Sequence, residues 1–254
     1  MRAIVHLLSC ELFGDSLDIA DFPDRALVGV DFSGSPAYAR RLARRLEYTN
    51  TFFDRRPRLD ILELPAEYRN ACDFVICSEI LEHVAPPVQR AFDNLYAMLK
   101  PGGLLVLTVP YQPAAETVEH FPELYEYELV PRGPNPILRS RMFLRAASRA
   151  LTAIRIGPSW ILRRPRWILR NRTRAGAKQH FEKLTFHGRA GWTLEMRVFS
   201  ERGLIANLEH AGFGEIALRG EDVPERGILW RHPWSLPVTA RVPAAAQRRA
   251  AEGS

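Results

Sequence analysis

The 254-residue chain has no uninterrupted apolar run near the roughly 20 residues that a spanning helix needs, which argues against an integral membrane protein. Its opening, Met1-Arg2-Ala3-Ile4-Val5-His6-Leu7-Leu8, lacks the long apolar region and cleavage site of a secretory signal, so a cytoplasmic location is expected. Cysteine is scarce. Cys10, Cys72 and Cys77 are odd in number and have no metal-ligand spacing, so neither a disulfide framework nor a zinc ribbon is indicated. No internal repeat occurs at solenoid or propeller periods. Low complexity is confined to the Ala/Arg-rich residues 241–254, expected as a disordered tail.

A further absence is local: no acidic residue occurs between 132 and 174, a segment that holds 12 arginines. The net charge of +6 therefore divides into one strongly basic segment and a remainder with 23 basic against 29 acidic residues. A mildly acidic body with one basic insert differs from a uniformly basic nucleic-acid binder. Within the segment Trp160-Ile161-Leu162 and Trp167-Ile168-Leu169 are interleaved with arginines, the composition of an interfacial amphipathic stretch. A basic helical insert over 132–175 is expected. It would either cover an acceptor site with its arginines solvated, or meet an anionic membrane surface as a peripheral contact. Nucleic acid is the weakest of the partner readings, because charge alone supports it.

What is present fits one core. With 46% hydrophobic residues, the chain can form a single catalytic domain over 1–240 that includes the insert. Between 26 and 110, β-rich apolar runs at 26–32, 48–53, 73–77 and 104–109 alternate with helical patterns, the sequence form of βαβ units. Residues 36–46 place Tyr38, Leu42 and Leu46 on one helix face, and 87–99 repeat the pattern through Val88, Phe92, Leu95 and Leu99. Lys100-Pro101-Gly102-Gly103 ends that helix. Further on, strands at 182–186 and 193–199 read as a hairpin around His187-Gly188-Arg189-Ala190-Gly191. Ser200 caps a helix over 201–211, and Gly212 is its left-handed stop before a strand at 213–218. The fold class implied is α/β, a doubly wound, mostly parallel sheet with a C-terminal hairpin.

The run Cys72-Asp73-Phe74-Val75-Ile76-Cys77-Ser78-Glu79-Ile80-Leu81-Glu82-His83-Val84 is followed by Leu99-Lys100-Pro101-Gly102-Gly103-Leu104-Leu105-Val106-Leu107-Thr108-Val109-Pro110. Together they resemble the fourth and fifth strand motifs of class I methyltransferases. Ala211-Gly212-Phe213 is similar to the family's C-terminal region. The resemblance covers roughly 26–112 and 182–218, and it implies a Rossmann-like fold and S-adenosylmethionine as cofactor. One departure stands out: no Gly-x-Gly-x-Gly loop occurs before residue 100.

Two registers follow. In the preferred one, Val28-Gly29-Val30-Asp31-Phe32-Ser33-Gly34-Ser35 replaces the glycine loop, Asp54 holds the ribose, and Leu59-Asp60-Ile61 lines the adenine. In the other, Asp31 ends the second strand and a first strand lies near residues 3–8, although 2–12 read better as a helix. Ligands of open α/β sheets bind beyond the carboxyl ends of the strands. The cofactor contacts expected are therefore Gly29, Asp31, Ser33, Asp54, Asp60, Ile61 and Ser78, with strand-end or turn roles as the bland alternative for the aspartates.

His83 is the first candidate for a general base or acceptor-orienting group, and His120, beyond the fifth strand, is the second. Glu79, Glu82 and His83 could converge on one helix face and hold a divalent cation, but no metal ligand is assigned. His187 and Glu195-Met196-Arg197 either cover the acceptor pocket or are hairpin residues. Cys77 reads as a buried strand residue. The activity expected is methyl transfer from S-adenosylmethionine to an oxygen or nitrogen of a small-molecule or lipid-linked acceptor. The rivals are a non-catalytic methyltransferase-like binding module, an RNA-directed methyltransferase, and an NAD-dependent enzyme, which needs its glycine turn more strictly still.

Overall fold

The computed structural model describes residues 1–132, 142–145, 166–187 and 193–244. In chain order the elements are α1 (Arg2–Phe13), β1 (Val28–Phe32), α2 (Pro36–Leu42), β2 (Glu47–Thr51), β3 (Cys72–Ser78), α3 (Gln89–Met98), β4 (Leu99–Thr108), β5 (Tyr111–Gln112), β6 (Val118–Glu119), β7 (Glu126–Arg132), β8 (Met142–Arg145), β9 (Arg166–Arg172), β10 (Lys178–Phe181), β11 (Phe186–His187), β12 (Thr193–Leu194), β13 (Arg197–Ser200), α4 (Glu201–Ala211), β14 (Gly214–Leu218) and β15 (Val238–Arg241). They form two compact units. One comprises Met1–Leu81, Val88–Thr117 and the chain from Phe199; the other comprises Glu82–Pro87 and Val118–Val198. No helix among the described residues is long and apolar enough to cross a membrane.

The first unit is built on a six-stranded sheet of order β14-β15-β4-β3-β1-β2. β1 pairs in parallel with both β2 and β3, and β3 in parallel with β4. β15 is inserted antiparallel between β4 and β14. The sheet is therefore mostly parallel and Rossmann-like, and both faces are covered. Phe74, Ile76, Leu104 and Val106 share a core with Ile4 and Leu8 of α1 and Leu42 of α2. The alternate residues Val75, Cys77, Leu105 and Leu107 are also buried, and α3 packs against β3, β4 and α4. Such two-sided burial is why these strands read as continuous apolar runs. The topology also selects between the two registers. Residues 2–13 are a helix, and Asp31 lies on β1, between β3 and the edge strand β2.

Local signals set several boundaries. Ser200 Oγ accepts from Gly203 N at 2.9 Å, and Gly212 ends α4 at φ 100°. Lys100-Pro101-Gly102-Gly103 stops α3 as expected, but it lies within β4 as a bulge. Cys72 pairs with Leu99, and Phe74 next pairs with Leu104. β15 had no counterpart in the sequence reading. Its Val238, Thr239 and Ala240 are buried, as is Val242 beyond it, so the ordered body runs past residue 240. The rest of the expected tail, from 245, lies outside the described residues.

The second unit contains a four-stranded antiparallel sheet of order β10-β9-β7-β8 and the short pair β11-β12. β9 pairs with β7 from Glu126↔Arg172 to Arg132↔Arg166. This corrects the helical reading of the basic insert where it is described. Leu169, Asn171 and Thr173 are buried while Arg170, Arg172 and Arg174 are exposed, a period of two that belongs to a strand. Residues 133–141 and 146–165, including Trp160, lie outside the described residues, and the membrane-surface reading falls largely on them. The expected hairpin survives only as Phe186↔Leu194 and His187↔Thr193. Leu129 and Leu169 form a core with Phe121, Leu124, Leu194 and Met196.

Gly29, read from sequence as a cofactor contact, has a packing duty on β1. A Cβ there would stand 1.9 Å from Cζ of Phe74 on the neighbouring strand, a ring that is itself fully buried. Gly29→Ala is expected to destabilise the chain by about 1–3 kcal/mol, the usual cost of overpacking, and Phe74→Leu in the same chain should recover part of it. Urea unfolding checks this, and an unchanged midpoint in the single variant would contradict it.

Candidate functional site

In the first unit the strand order reverses between β1 and β3, since the chain leaves β1 for β2 on one side and returns to β3 on the other. Crevices at such points take ligands. Here two non-glycine residues adopt left-handed backbone directly after paired strands, Ser33 (φ 60°) after β1 and Glu79 (φ 55°) after β3. Residues other than glycine, Asn and Asp seldom do so. Ser33 takes this backbone in a turn where the sequence has no Gly-x-Gly-x-Gly loop.

The turn after β1 is held from below by Asp31. This carboxylate is fully buried, and its Oδ2 accepts from the Tyr38 hydroxyl at 2.8 Å and the Tyr48 hydroxyl at 2.7 Å. Its Oδ1 is buried without a hydrogen-bond partner. Burial raises the carboxyl to about 6, against the lowering pull of the two tyrosines. Gly34 lies so close that a Cβ there would be 2.1 Å from Asp31 Oδ2. Asn50 brackets the same glycine, accepting from its N–H and donating to its C=O, both at 2.8 Å. Ser33 N donates to Thr51 O.

The remaining expected contacts are placed as follows. Asp54 is exposed three residues beyond β2. Asp60 is half-buried in a turn, with Oδ1 accepting from Leu62 N at 2.9 Å, and burial raises its carboxyl. Ile61 is buried, and its carbonyl accepts from Asn94 Nδ2 of α3. Ser78 ends β3 and shares a 2.7 Å hydrogen bond with Thr108 on β4. Thr108 also donates to Glu79 Oε1 at 3.0 Å.

The histidines lie in the second unit, in a network wider than the sequence reading drew. Residues 81–83 form a 3-10 turn. His83 Nδ1 meets Leu194 O at 2.9 Å and its Nε2 lies 3.4 Å from Glu82 Oε1. Burial is the largest influence on His83 and lowers its pKa, which keeps the imidazole neutral near pH 7. His187 Nε2 is 2.7 Å from Glu195 Oε2, and His120 Nε2 is 2.9 Å from Glu195 Oε1. Burial pushes Glu195 upward, but the hydrogen bonds from His120 and His187 outweigh it and hold the carboxyl low. Beside the network, the fully buried Arg197 pairs with Glu119 at 2.5 Å and donates to Val84 O at 2.6 Å.

Residues 13–105 match the family described as methyltransferase domain. Over that stretch, less than half of its length, the chain resembles a methyltransferase domain. No curated protein matches it. Among solved structures it is similar to the 1,6-didemethyltoxoflavin-N1-methyltransferase of Burkholderia thailandensis, at 15% identity and TM-score 0.44, with 95% of this chain and 76% of that one covered. A sugar N-methyltransferase from Streptoalloteichus is 12% identical at TM-score 0.48, covering 95% and 86%. An amino pentose methyltransferase from Micromonospora echinaspora is 14% identical at TM-score 0.43, covering 85% and 84%. These likenesses say nothing about the acceptor.

Around β1 the sequence reading placed Tyr38 on a helix face and overlooked Tyr48 and Asn50, although all three shape the turn after β1. Tyrosines flanking an aspartate at helix and strand spacing were the available signal. The pH dependence of Asp31 tests the arrangement. The folded chain holds the Asp31 proton up to about pH 6, whereas the ordinary value is 3.8. Its stabilising contribution is thus full below about pH 4 and is lost as pH rises through 6. The stability of the parent chain relative to Asp31→Asn is expected to fall by roughly 1–3 kcal/mol between pH 4 and pH 7. Urea unfolding across that range measures it, and a flat difference would contradict the buried carboxyl.

Proposed function

We propose that the chain transfers the methyl group of S-adenosylmethionine to an oxygen or nitrogen of a small-molecule or lipid-linked acceptor. The observation that carries this reading is the pair of left-handed residues, Ser33 and Glu79, at the switch point of the matched domain. Backbone in such conformations persists where the surroundings over-determine it, and it clusters at ligand clamps.

The residues there suit a nucleoside. Asp54 is an exposed carboxylate beyond β2, able to accept both ribose hydroxyls. Asp31 Oδ1 is a buried acceptor lacking a partner at the end of β1. Asp60 and Ile61 are assigned to the adenine edge, Ser33 and Ser78 to the strand-end contacts. When bound, S-adenosylmethionine supplies a methyl group on an electrophilic sulfonium, so the protein's share is to align the acceptor and take a proton where necessary. The candidate bases, His83 and His120, both belong to the second unit, and His120 has a ring nitrogen to spare. Its Nε2 is held by Glu195, and among the described residues no hydrogen bond engages its Nδ1. A methyltransferase-like binding module is the rival reading. It is favoured by the Ser33 and Gly34 amides, which already donate to Thr51 and Asn50 and so are not offered to a ligand.

Calorimetry with S-adenosylmethionine and S-adenosylhomocysteine separates the enzyme from the module. One-to-one binding is expected, weakened in Asp54→Ala by about 1–3 kcal/mol. Binding lost in Asp31→Ala but intact in Asp54→Ala would overturn the ribose assignment. With labelled S-adenosylmethionine and a cell extract, label should pass to a small or lipid-linked acceptor; a folded chain that binds no cofactor would favour the module.

A further inference from the structure

In the second unit, Glu82, His83 and His187 bring one carboxylate oxygen and two imidazole nitrogens within 4.8 Å of one another. Glu82 and His83 are neighbours in sequence, but His187 comes from more than 100 residues away, on β11. The carboxylate is fully buried. Its Oε1 lies 3.4 Å from His83 Nε2 and 4.0 Å from His187 Nδ1. Ligands of a tetrahedral zinc ion, at about 2.0–2.1 Å from it, stand about 3.4 Å apart. One pair is already at that separation, and small side-chain rotations would close the others.

What distinguishes the cluster from a chance meeting of polar groups is how each histidine is held from behind. His83 meets the Leu194 carbonyl through Nδ1, which as the donor leaves the Nε2 lone pair toward Glu82. His187 meets Glu195 through Nε2, which leaves Nδ1 toward Glu82. A backbone carbonyl behind one imidazole and a carboxylate behind the other is the outer-shell arrangement that fixes the tautomer and raises the basicity of metal-bound histidines. Glu195 is anchored in turn by His120 at 2.9 Å. The strand pair β11-β12 ties these pieces together, because His187↔Thr193 lies beside Leu194 and Glu195. Glu79, the sequence reading's third ligand candidate, is replaced by His187, and its own Oε1 accepts from Thr108.

We propose that Glu82, His83 and His187 form a binding site for one first-row divalent cation, with Glu195 and the Leu194 carbonyl as positioning groups. Two nitrogens and one oxygen suit zinc, cobalt or manganese better than magnesium or calcium, which take oxygen donors. Three protein ligands leave a position open for water or an oxygen of a bound molecule.

The test needs no methyl donor, so its result is independent of the proposed activity. The tag-free full chain, stripped with chelator, is titrated with zinc by calorimetry and with cobalt by visible absorption, alongside magnesium. One equivalent of zinc should bind, cobalt should develop the bands of a low-coordinate site, and magnesium should bind far more weakly. His187→Ala is the main variant, since that side chain is 35% exposed and its truncation spares the core. It should abolish stoichiometric binding. Glu195→Gln should weaken binding by roughly 10–100-fold, as loss of an outer-shell partner does. His180→Ala, an exposed histidine on β10, should leave binding unchanged. Thermal unfolding of each variant by circular dichroism verifies that it is folded. No stoichiometric zinc binding in the parent chain, or binding that persists in folded His187→Ala and Glu82→Gln, would overturn the site and leave a hydrogen-bonded network.

Discussion

A carboxylate taken fully out of water has to find donors, and Asp31 finds them on the two elements that follow it in the chain. Tyr38 reaches it from α2 and Tyr48 from β2. Both hydroxyls end on the same oxygen, so the helix and the strand are fixed to β1 at one point. The turn between β1 and α2 then has little freedom. Gly34 is pressed onto the carboxylate and clamped by Asn50, and Ser33 is driven into left-handed backbone to make the connection. A hydrogen-bonded hub of side chains thus shapes the turn after β1. The other carboxylate oxygen is left buried and without a hydrogen-bond partner.

Much of the first unit was legible because its signals are local. The helix over Glu201–Ala211, its Ser200 cap and its Gly212 stop were read correctly from three residue types. The parallel strands declared themselves as apolar runs, since a sheet covered on both faces has no polar side to show. β15 escaped for the opposite reason: Val-Thr-Ala-Arg is too short to carry a pattern, and long-range pairing with β4 and β14 makes it a strand. Arginine density misled the reading of the insert. Between Arg166 and Arg174 the arginines alternate with Leu169, Asn171 and Thr173, a strand period. Composition points to an amphipathic helix there, but the period of two belongs to a strand.

The candidate site was legible residue by residue but not as an arrangement. Asp31 was read as a cofactor contact, and its tyrosine partners could not be paired with it without the sheet register. The Glu79 to His83 run was read as a helix face, whereas residues 81–83 form a 3-10 turn and Glu79 bonds to Thr108. His187 and Glu195 drew notice only as hairpin residues. Their meeting with His83 and His120 depends on the pairing of β11 with β12, and sequence spacing carries no trace of it.

Hydrogen exchange on the full chain with and without S-adenosylhomocysteine tests the central claim most directly, because it locates the nucleoside without knowledge of the acceptor. Bound ligand should slow exchange at the amides of residues 31–35 and 51–61, the carboxyl ends of β1 and β2, and leave β14 and β15 unchanged. Unaltered exchange at those residues under saturating ligand, or protection confined to other segments, would contradict the account.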